Sequence, residues 1–358
     1  MDIKIRFLQK SEEEKLLDFN RDNYGPSHIL TDPKYIHWQF GEFPLANNNF
    51  SILGVFSGGG SLIGVFGMTV LKFNYFNAKI NCTSLANLIV KKDLRNFGLG
   101  YLLLREAEKI SPLACDHGLN EDAMKLFTGR GWRGFNLNRY VFIYNVSSIK
   151  KFDGLKDLKI TNSEALENLD YENKYSDNFK KIDSFDNRLN VFFNSENMLK
   201  KYPLSVERSE AYLNWRYFKH PLINYEIFIL TSENLIKSFA VIRREGGGEF
   251  PVARIIDFIS FDETEKFFLE SLINYFKNQN IYFIDYFFSG DYHLNSLQKL
   301  GFVNCNKNYY KYLPNRFNPL DLKGKNFINF VFKVNNKPRV DSKKWYTTKG
   351  GGDQDRAY

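Results

Sequence analysis

The chain has 358 residues, enough for two domains, and with 43% hydrophobic and 25% charged residues its composition is typical of soluble globular proteins. No apolar run reaches the ~18 residues of a membrane span, and the first residues lack the apolar core of a signal peptide. The three scattered cysteines argue against a cysteine-based metal site and predict a reducing, cytoplasmic location. A net charge of +8 favours polyanionic partners, but there is no lysine–arginine block or nucleic-acid motif, so small polyphosphates are expected rather than nucleic acid.

The N-terminal region alternates helix and strand signals. Residues 3–20 predict a strand and then an amphipathic helix, and a loop containing His28 leads to a second helix that Asp32 caps before Pro33. The strands expected after this helix are apolar, with a glycine-rich hairpin turn between the first two. They span residues 51–56, 62–70, 72–82 (a further pair) and 85–90.

A basic, glycine-bearing turn follows the last of these strands. Arg95, Gly98 and Gly100 lie in this turn, and apolar residues recurring on one face predict a helix from Leu99 to Ile110. A strand that leads into such a turn aims several backbone N–H groups and the positive end of a helix dipole at one point, which favours a phosphate group. The spacing matches neither the P-loop nor the dinucleotide-binding fingerprint.

Two motifs in order, R-x-x-G-x-G over 95–100 and N-x-x-A-x-x-L-F over 120–127, resemble those of the GNAT superfamily of N-acyltransferases. The resemblance implies a mixed α/β fold, with mostly antiparallel sheets flanked by helices, and a V-shaped split between two parallel strands that accepts acyl-CoA. The family's general acid is a tyrosine where this chain has Phe127, so another tyrosine or a water would have to take that role. The residues that the resemblance assigns to acyl-CoA are Leu88, Ile89, Val90, Arg95, Asn96, Phe97, Gly98, Leu99, Gly100 and Asn120.

The pattern Y-x-x-W-x-[FY]-x-x-x-P occurs at 35–44 and again at 212–221, which predicts two tandem copies of one domain. The tryptophans of the pattern are expected in the core, whereas Gln39 and Arg216, one position further on, are expected to face a cleft. The second copy is acidic where the first has its glycine turn, so we expect one acyl-CoA site, in the first half. The expected units are an acyl-CoA-binding domain over 1–150, a second GNAT-like domain over 151–332 and an arm over 333–358, with the seam near 146–159.

Acyl transfer to an amine needs a neutral amine and a polarised thioester carbonyl, and the resemblance implies that a backbone N–H around 88–90 polarises the carbonyl. Asp116 and His117 are candidates for the base because they end the strand beside the cleft, although the same residues would also suit a plain polar turn. His28 lies in the loop that lines the acceptor side of GNAT folds, or is a surface residue. Asn87 is a candidate for binding the acceptor or a water, or is a core asparagine.

The polar segment after Phe332 has two interpretations, a disordered tail or an ordered arm laid into the active site. Its W-x-x-x-K-x-x-x-D-Q-D-R ending resembles that of tandem-GNAT enzymes of bacterial surface-polysaccharide clusters. This implies a nucleotide-linked amino sugar as acceptor, such as a dTDP-3-amino-3,6-dideoxyhexose destined for an O-antigen. Trp345 and Tyr346 would stack on the base, and the other substrate candidates are Lys349, Asp353, Asp355 and Arg356, together with Asn87 and Gln39.

Two alternatives come from other functional classes. A Fem-type aminoacyl transferase uses aminoacyl-tRNA, which a pI near 9.0 suits, but such enzymes generally lack the glycine turn. A non-catalytic acyl-CoA-binding protein is the other alternative, and Phe127 favours it because the usual general acid is missing. The acyl group, the exact amino sugar and the oligomeric state do not follow from the sequence.

Overall fold

The computed structural model describes residues 2–144, 146–150, 178–246, 250–305, 313–317, 320–321, 327–335 and 340–356. Two mixed sheets flanked by helices make up most of this part of the chain, so the predicted mixed α/β fold is confirmed. Most of the seam predicted at 146–159 lies outside the described residues. None of the described helices has both the length and the apolarity needed to cross a membrane.

The N-terminal elements follow the predicted order. The second helix begins at Pro33, and the side chain of Asp32 accepts a hydrogen bond from the backbone N–H of Lys34, as predicted. The strand pair expected over 72–82 is instead a continuation of its neighbours, because the hairpin strands run on without a break. The elements are β1 (Ile3–Phe7), α1 (Glu13–Tyr24), α2 (Pro33–Gly41), β2 (Ile52–Ser57), β3 (Leu62–Tyr75), β4 (Ala78–Val90), α3 (Leu99–Ala107), β5 (Leu113–His117), α4 (Glu121–Gly129), β6 (Arg133–Asn136), β7 (Asn138–Ile143) and α5 (Val146–Ile149).

The first half contains a hairpin, a third strand, a helix and a parallel strand in this order, and the remaining elements repeat that order. They are β8 (Phe179–Ile182), α6 (Arg188–Phe193), α7 (Glu196–Lys201), β9 (Leu204–Val206), α8 (Glu210–Leu213), β10 (Glu226–Ser232), β11 (Leu235–Glu245), β12 (Val252–Ser260), α9 (Asp262–Lys277), β13 (Phe283–Phe288), α10 (Leu294–Lys299), β14 (Val303–Asn304), β15 (Arg316–Phe317), β16 (Leu320–Asp321) and β17 (Asn329–Val334).

Each half of the chain completes the sheet of the other. The first sheet has the order β1-β2-β3-β4-β5-β17-β6, and the second has the order β14-β7-β13-β12-β11-β10-β8. Thus β7, which precedes the predicted boundary at 150, pairs with β13, and β17, which lies near the end of the second half, pairs with β5 and β6. The strands therefore cross the predicted domain boundaries, and this exchange ties the two halves together.

The repeated tryptophans lie at the contact between the halves. The Trp38 and Trp215 rings stack with centroids 5.2 Å apart. Each indole N–H donates a hydrogen bond of 2.9 Å to the backbone carbonyl of the other tryptophan, which is the reciprocal pattern expected of a local two-fold relation. Buried aromatic pairs of this kind contribute both apolar area and geometric specificity.

Candidate active site

The pairing between β4 and β5 ends partway along β4. These parallel strands pair over Cys82–Leu85 and Leu113–Asp116, and beyond that point β4 continues to Val90, whereas β5 ends at His117. A register shift between β3 and β4 accompanies Asn87, whose φ of +61° is rare for a residue with a side chain. We call the gap between residues 86–90 and the end of β5 the first cleft.

The residues predicted to polarise a thioester line one edge of the first cleft. Leu88 and Ile89 are half-buried and Val90 is buried, so the edge carries apolar side chains. The side-chain amide nitrogen of Asn87 is buried, and no described residue supplies it with a hydrogen-bond acceptor. An unpaired amide donor at the bulge of this edge is available to an oxygen of a bound molecule.

The glycine turn places a bare helix start at the mouth of the first cleft. Gly98 precedes α3 with φ +76°, and no side chain caps the helix. A Cβ built on Gly98 has no atom within 4 Å, so the space in front of these N–H groups is open. Asn96 also has a positive φ, and the Nε of Arg95 donates to the Val90 carbonyl at 3.2 Å, which holds the turn against β4.

Apolar contacts fix the direction of α3. Leu99 is buried, whereas Phe97 is 67% exposed beside the turn. A Cβ on Gly100 would lie 3.7 Å from Leu126 and 4.0 Å from Leu88, so α3, α4 and the edge of β4 meet closely there. The structure therefore brings the predicted cofactor residues 88–90 and 95–100 to one place, where an anion would face the positive end of α3.

The predicted motif on α4 has a structural role in this state. The side chain of Asn120 accepts a hydrogen bond of 2.9 Å from the Ala123 N–H and so caps α4. Phe127 is fully buried between Phe66 and Trp132, with ring centroids 6.4 and 4.7 Å away. No hydroxyl is present where the related motif has one.

Asp116 lies at the apex of the first cleft. It is 7% exposed, and its Oδ1 accepts a hydrogen bond of 2.7 Å from the His117 N–H. No described residue donates to its second oxygen. Burial raises the pKa of this carboxyl well above its usual range, and the charge of Arg356 only partly opposes the shift. Asp116 pairs with Leu85 and Val331, which belong to the same core cluster as Phe127, so its side chain lies on that face of the sheet.

His117 faces the opposite side of the same strand. Its Nε2 lies 2.9 Å from the hydroxyl of Thr347, and its ring packs 4.7 Å from that of Phe330. Burial and then the charge of Arg216 lower the pKa of His117 to about 3, so the imidazole is neutral. Its Nδ1 is buried, and no described residue contacts it with a donor or acceptor.

His28 belongs to a separate group at the edge of the site. Its ring stacks on Tyr24 at 4.5 Å, and its Nδ1 accepts a hydrogen bond from the Leu30 N–H. Burial, followed by the charges of Arg356 and Arg316, lowers the pKa of His28. Burial raises the pKa of Tyr24, and the charges of Arg356 and Arg95 partly oppose that shift. His28 therefore lies near guanidinium groups from the glycine turn and from residues late in the chain, but its own hydrogen bond serves a turn.

Gln39 lines a small cavity between the halves, and its amide donates to Thr69 at 3.0 Å. Ser84, Arg216 and Gly350–Gly352 also line this cavity. Arg216 donates to the carbonyls of Gly350 and Gly352 at 3.1 and 2.9 Å. The expectation that these two repeated positions face a cleft agrees with this arrangement.

The part of the arm over 340–356 packs against both halves, and several of its side chains contact other residues of the protein. Trp345 is 0% exposed and packs on Phe73, Phe330 and Phe332, so the predicted stacking of this ring on a base is wrong for this state. Tyr346 is equally buried. Burying these large aromatic rings stabilises the fold, so they are not exposed as a surface on which a base could stack.

The charged residues of the arm that were predicted to contact the substrate also form hydrogen bonds and ion pairs within the protein. Lys349 donates to Asn315 at 3.2 Å, and burial together with the charge of Arg254 lowers its pKa to about 7. Asp353 pairs with Arg356. Asp355 accepts hydrogen bonds from Arg243 at 2.7 Å and Tyr225 at 2.5 Å, and although burial opposes ionisation, the arginine charges lower its pKa to about 2.

Sequence reasoning missed several of the residues that shape this site. Thr347 and Gly350–Gly352 lie among residues of the arm that were predicted to bind substrate. Their sequence is polar and glycine-rich, and it does not indicate which strand of the sheets they will contact. Arg243 is one charged residue among many in an apolar hairpin. Arg216, by contrast, was predicted from its position in the repeated aromatic pattern.

The comparisons with known proteins concern the fold. No protein-family model matches the sequence, and no curated protein sequence matches it. Among solved structures, a GCN5-related N-acetyltransferase from Anabaena variabilis has a TM-score of 0.59 and 8% identity, covering 93% of this chain and 73% of that one. A probable N-acyltransferase from Enterococcus faecalis has a TM-score of 0.59 and 10% identity, covering 93% and 72%. Saccharomyces cerevisiae N-myristoyltransferase with bound myristoyl-CoA has a TM-score of 0.56 and 12% identity, covering 98% and 89%. The chain therefore shares the GNAT fold.

Proposed function

We propose that the protein is an acyl-CoA-dependent N-acyltransferase with its acyl-CoA site in the first cleft. The observation that carries this proposal is the joint geometry of the cleft and the glycine turn, where the pairing of β4 with β5 ends near an uncapped, sterically open helix start. A pyrophosphate suits that helix start, and an extended chain suits the gap between the strands. The solved structures with this fold include N-acyltransferases, one of them with a bound acyl-CoA.

The reaction requires the amine nitrogen to bond to the thioester carbonyl carbon while the carbon–sulfur bond breaks. The developing oxyanion would be stabilised by a backbone N–H of residues 88–90, or by the unpaired amide of Asn87. The amine loses a proton and the thiolate gains one. Because the thiol of the product has a pKa of about 8.5, a proton donor assists its departure at neutral pH.

Asp116 and His117 divide these proton roles in the proposed mechanism. Burial, with no cation of a described residue paired to it, raises the pKa of the Asp116 carboxyl, and the side chain lies on the face that carries Phe127, so in the proposed mechanism Asp116 supplies the proton to the sulfur. His117 is neutral and lies on the opposite face, toward the arm, where its imidazole takes the proton that the amine loses. His28 is assigned to acceptor binding rather than to proton transfer, because its Nδ1 already caps a turn.

The acceptor we propose is the amine of a nucleotide-linked amino sugar, such as a dTDP-3-amino-3,6-dideoxyhexose for a cytoplasmic step of surface-polysaccharide synthesis. The positive charge of Arg356 affects the pKa of both rings of the stacked pair Tyr24 and His28. Arg95 affects the pKa of Tyr24, and Arg316 affects that of His28. These effects indicate a cationic region where the α1–α2 loop meets the glycine turn. A diphosphate suits guanidinium groups, and a ring system suits the stacked pair. The ending of the arm resembles enzymes of this type, which supports the same acceptor class.

The test measures release of the CoA thiol from acetyl-CoA with a panel of amines: dTDP- and UDP-linked amino sugars, an aminoglycoside and a lysine peptide. Release with a nucleotide-linked amino sugar alone supports the full proposal, and release with another amine replaces the acceptor class. Phe127 favours one second candidate, a non-catalytic acyl-CoA-binding protein. That candidate predicts saturable acetyl-CoA binding, abolished by Gly98→Asp, without release for any amine.

A further inference from the structure

The second sheet contains a gap that matches the first cleft. Parallel strands β12 and β13 pair over Val252–Ile255 and Phe283–Tyr286, after which β12 continues to Ser260 and β13 to Phe288 without further pairing between them. We call the gap between residues 256–260 and 287–289 the second cleft. Its helix, α9, carries acidic residues in the first turn, so the second cleft repels a pyrophosphate.

The arm lies along one wall of the second cleft and joins it through an isolated β-bridge. Thr348 bridges to Phe288 in antiparallel register. The Ser289 N–H donates to the Thr347 carbonyl at 2.9 Å, and the Thr347 N–H donates to the Ser289 hydroxyl at 2.8 Å. These bonds satisfy the backbone groups that β13 leaves unpaired at its end.

The arm also contacts the opposite wall. The hydroxyl of Tyr346 donates to the carbonyl of Phe258 in β12 and lies 2.5 Å from the hydroxyl of Tyr286 in β13. A Cβ on Gly350 would lie 3.0 Å from the Ile256 carbonyl and would overlap the hydroxyl of Tyr217, so this glycine packs directly on β12. The arm therefore spans the second cleft from one strand to the other.

From the second cleft the arm passes to the acceptor face of the first cleft. The Thr347 hydroxyl contacts Nε2 of His117 at 2.9 Å, and a Cβ on Gly352 would overlap the same ring. Gln354 donates to the His117 carbonyl at 3.0 Å. A residue held in the second cleft thus contacts His117 directly.

We propose that residues 345–350 are an internal ligand of the second cleft, and that their binding there builds the acceptor-side wall of the first cleft at residues 347–352. Thr347 and Gly352 are then positioning residues for His117. The inference rests on the proposed function for its effect on the acceptor, but the occupancy of the second cleft stands apart from it. One acetyl-CoA binds per chain, because the second cleft is filled.

The test uses the full chain and a pair of glycine variants. In Gly350→Ala the new methyl group meets Tyr217 and the Ile256 carbonyl, whereas in Gly129→Ala it meets no atom within 4 Å. Hydrogen exchange measures protection of the amides of 346–352, calorimetry measures acetyl-CoA binding, and turnover uses the amine that the wild type acylates in the panel. For Gly350→Ala we expect a loss of protection of about tenfold and a rise in acceptor KM of about tenfold, with the acetyl-CoA Kd unchanged. Gly129→Ala should match the wild type.

A second pair of variants guards against a variant that fails to fold. Tyr346→Phe removes the hydroxyl that joins both walls, and Tyr144→Phe removes a comparable hydroxyl that donates to the Ile273 carbonyl at 2.6 Å away from the arm. Only Tyr346→Phe should loosen residues 346–352. Rapid exchange of these amides in the wild type, or two acetyl-CoA molecules per chain, would overturn the inference. If the wild type acylates no amine, the proposed function fails while the exchange and stoichiometry still decide the occupancy.

Discussion

Gly98→Asp tests the anion site at the start of α3 most directly. The backbone at Gly98 has φ +76°, and no atom lies within 4 Å of a Cβ built there, so the aspartate costs left-handed strain of about 1–2 kcal/mol but creates no steric overlap. Its carboxylate would stand at the helix start, where the proposed pyrophosphate would bind. Two like charges at a separation on the order of 5 Å, with an effective dielectric constant near 20, cost about 3 kcal/mol, which corresponds to a loss of acetyl-CoA affinity of about 100-fold.

Gly60→Asp is the matched control for this substitution. Gly60 has φ +80°, also has no atom within 4 Å of a built Cβ, and lies in the β2–β3 hairpin turn. Calorimetric titration with acetyl-CoA should show the loss for Gly98→Asp and wild-type affinity for Gly60→Asp, and salt should reduce the difference between them. If Gly98→Asp binds acetyl-CoA with the wild-type Kd, the pyrophosphate does not bind at α3 and the proposed site is wrong.

Three further predictions follow from buried groups of the site. Asp116→Asn keeps an oxygen for the His117 N–H but carries no acidic proton. We therefore expect kcat to fall about 100-fold and the pH–rate profile to lose its alkaline limb, with the acetyl-CoA Kd unchanged. A wild-type pH–rate profile would show that Asp116 is not the acid. Trp345→Ala empties a fully buried aromatic site, and urea unfolding should show a loss of about 3–5 kcal/mol, well beyond that of Trp345→Phe. Burial lowers the pKa of His117 to about 3, and it does the same for His220, a buried histidine whose ring lies 4.0 Å from that of Trp38, so the unfolded chain binds more protons below pH 6.5. The free energy of unfolding should therefore fall with decreasing pH between about 6.5 and 3, by up to about 1.4 kcal/mol per pH unit for each histidine, and His117→Gln should remove its share; a pH-independent urea midpoint would contradict the neutral, buried state of these rings.

Local signals predicted the elements that local physics determines. The Asp32 cap, the hairpin, the glycine turn and the apolar face of α3 all lie where short-range patterns indicate, because caps, positive φ angles and helical periodicity act within a few residues. The divergence of β4 and β5 came from the family resemblance rather than from periodicity. The acidic start of α9 was likewise visible in the sequence, and it separates the two clefts chemically.

Long-range choices were not accessible in the same way. The exchange of β7 and β17 places each strand in the sheet of the other half, and an alternating apolar strand carries no mark of which sheet it joins. Trp345 illustrates a second kind of miss. An aromatic residue in a polar tail suits both a ligand platform and a buried anchor, and the apolar pocket formed by β17 and β3 decides for the anchor.

Unpaired backbone groups explain why the arm fills the second cleft, and the same argument applies to the first cleft. Two strands that diverge leave backbone groups unpaired, and each buried group left without a partner costs about 1–3 kcal/mol. In the second half, Thr347 and Thr348 satisfy the end of β13, and because the arm is part of the same chain, this occupancy does not depend on the concentration of a ligand. The same bonds hold Gly350–Gly352 beside His117 before any acceptor arrives. In the first half no described segment bridges residues 86–90 to the end of β5, so in the proposed function an extended acyl carrier lies along this edge of β4, and the acceptor meets a wall that is already in place.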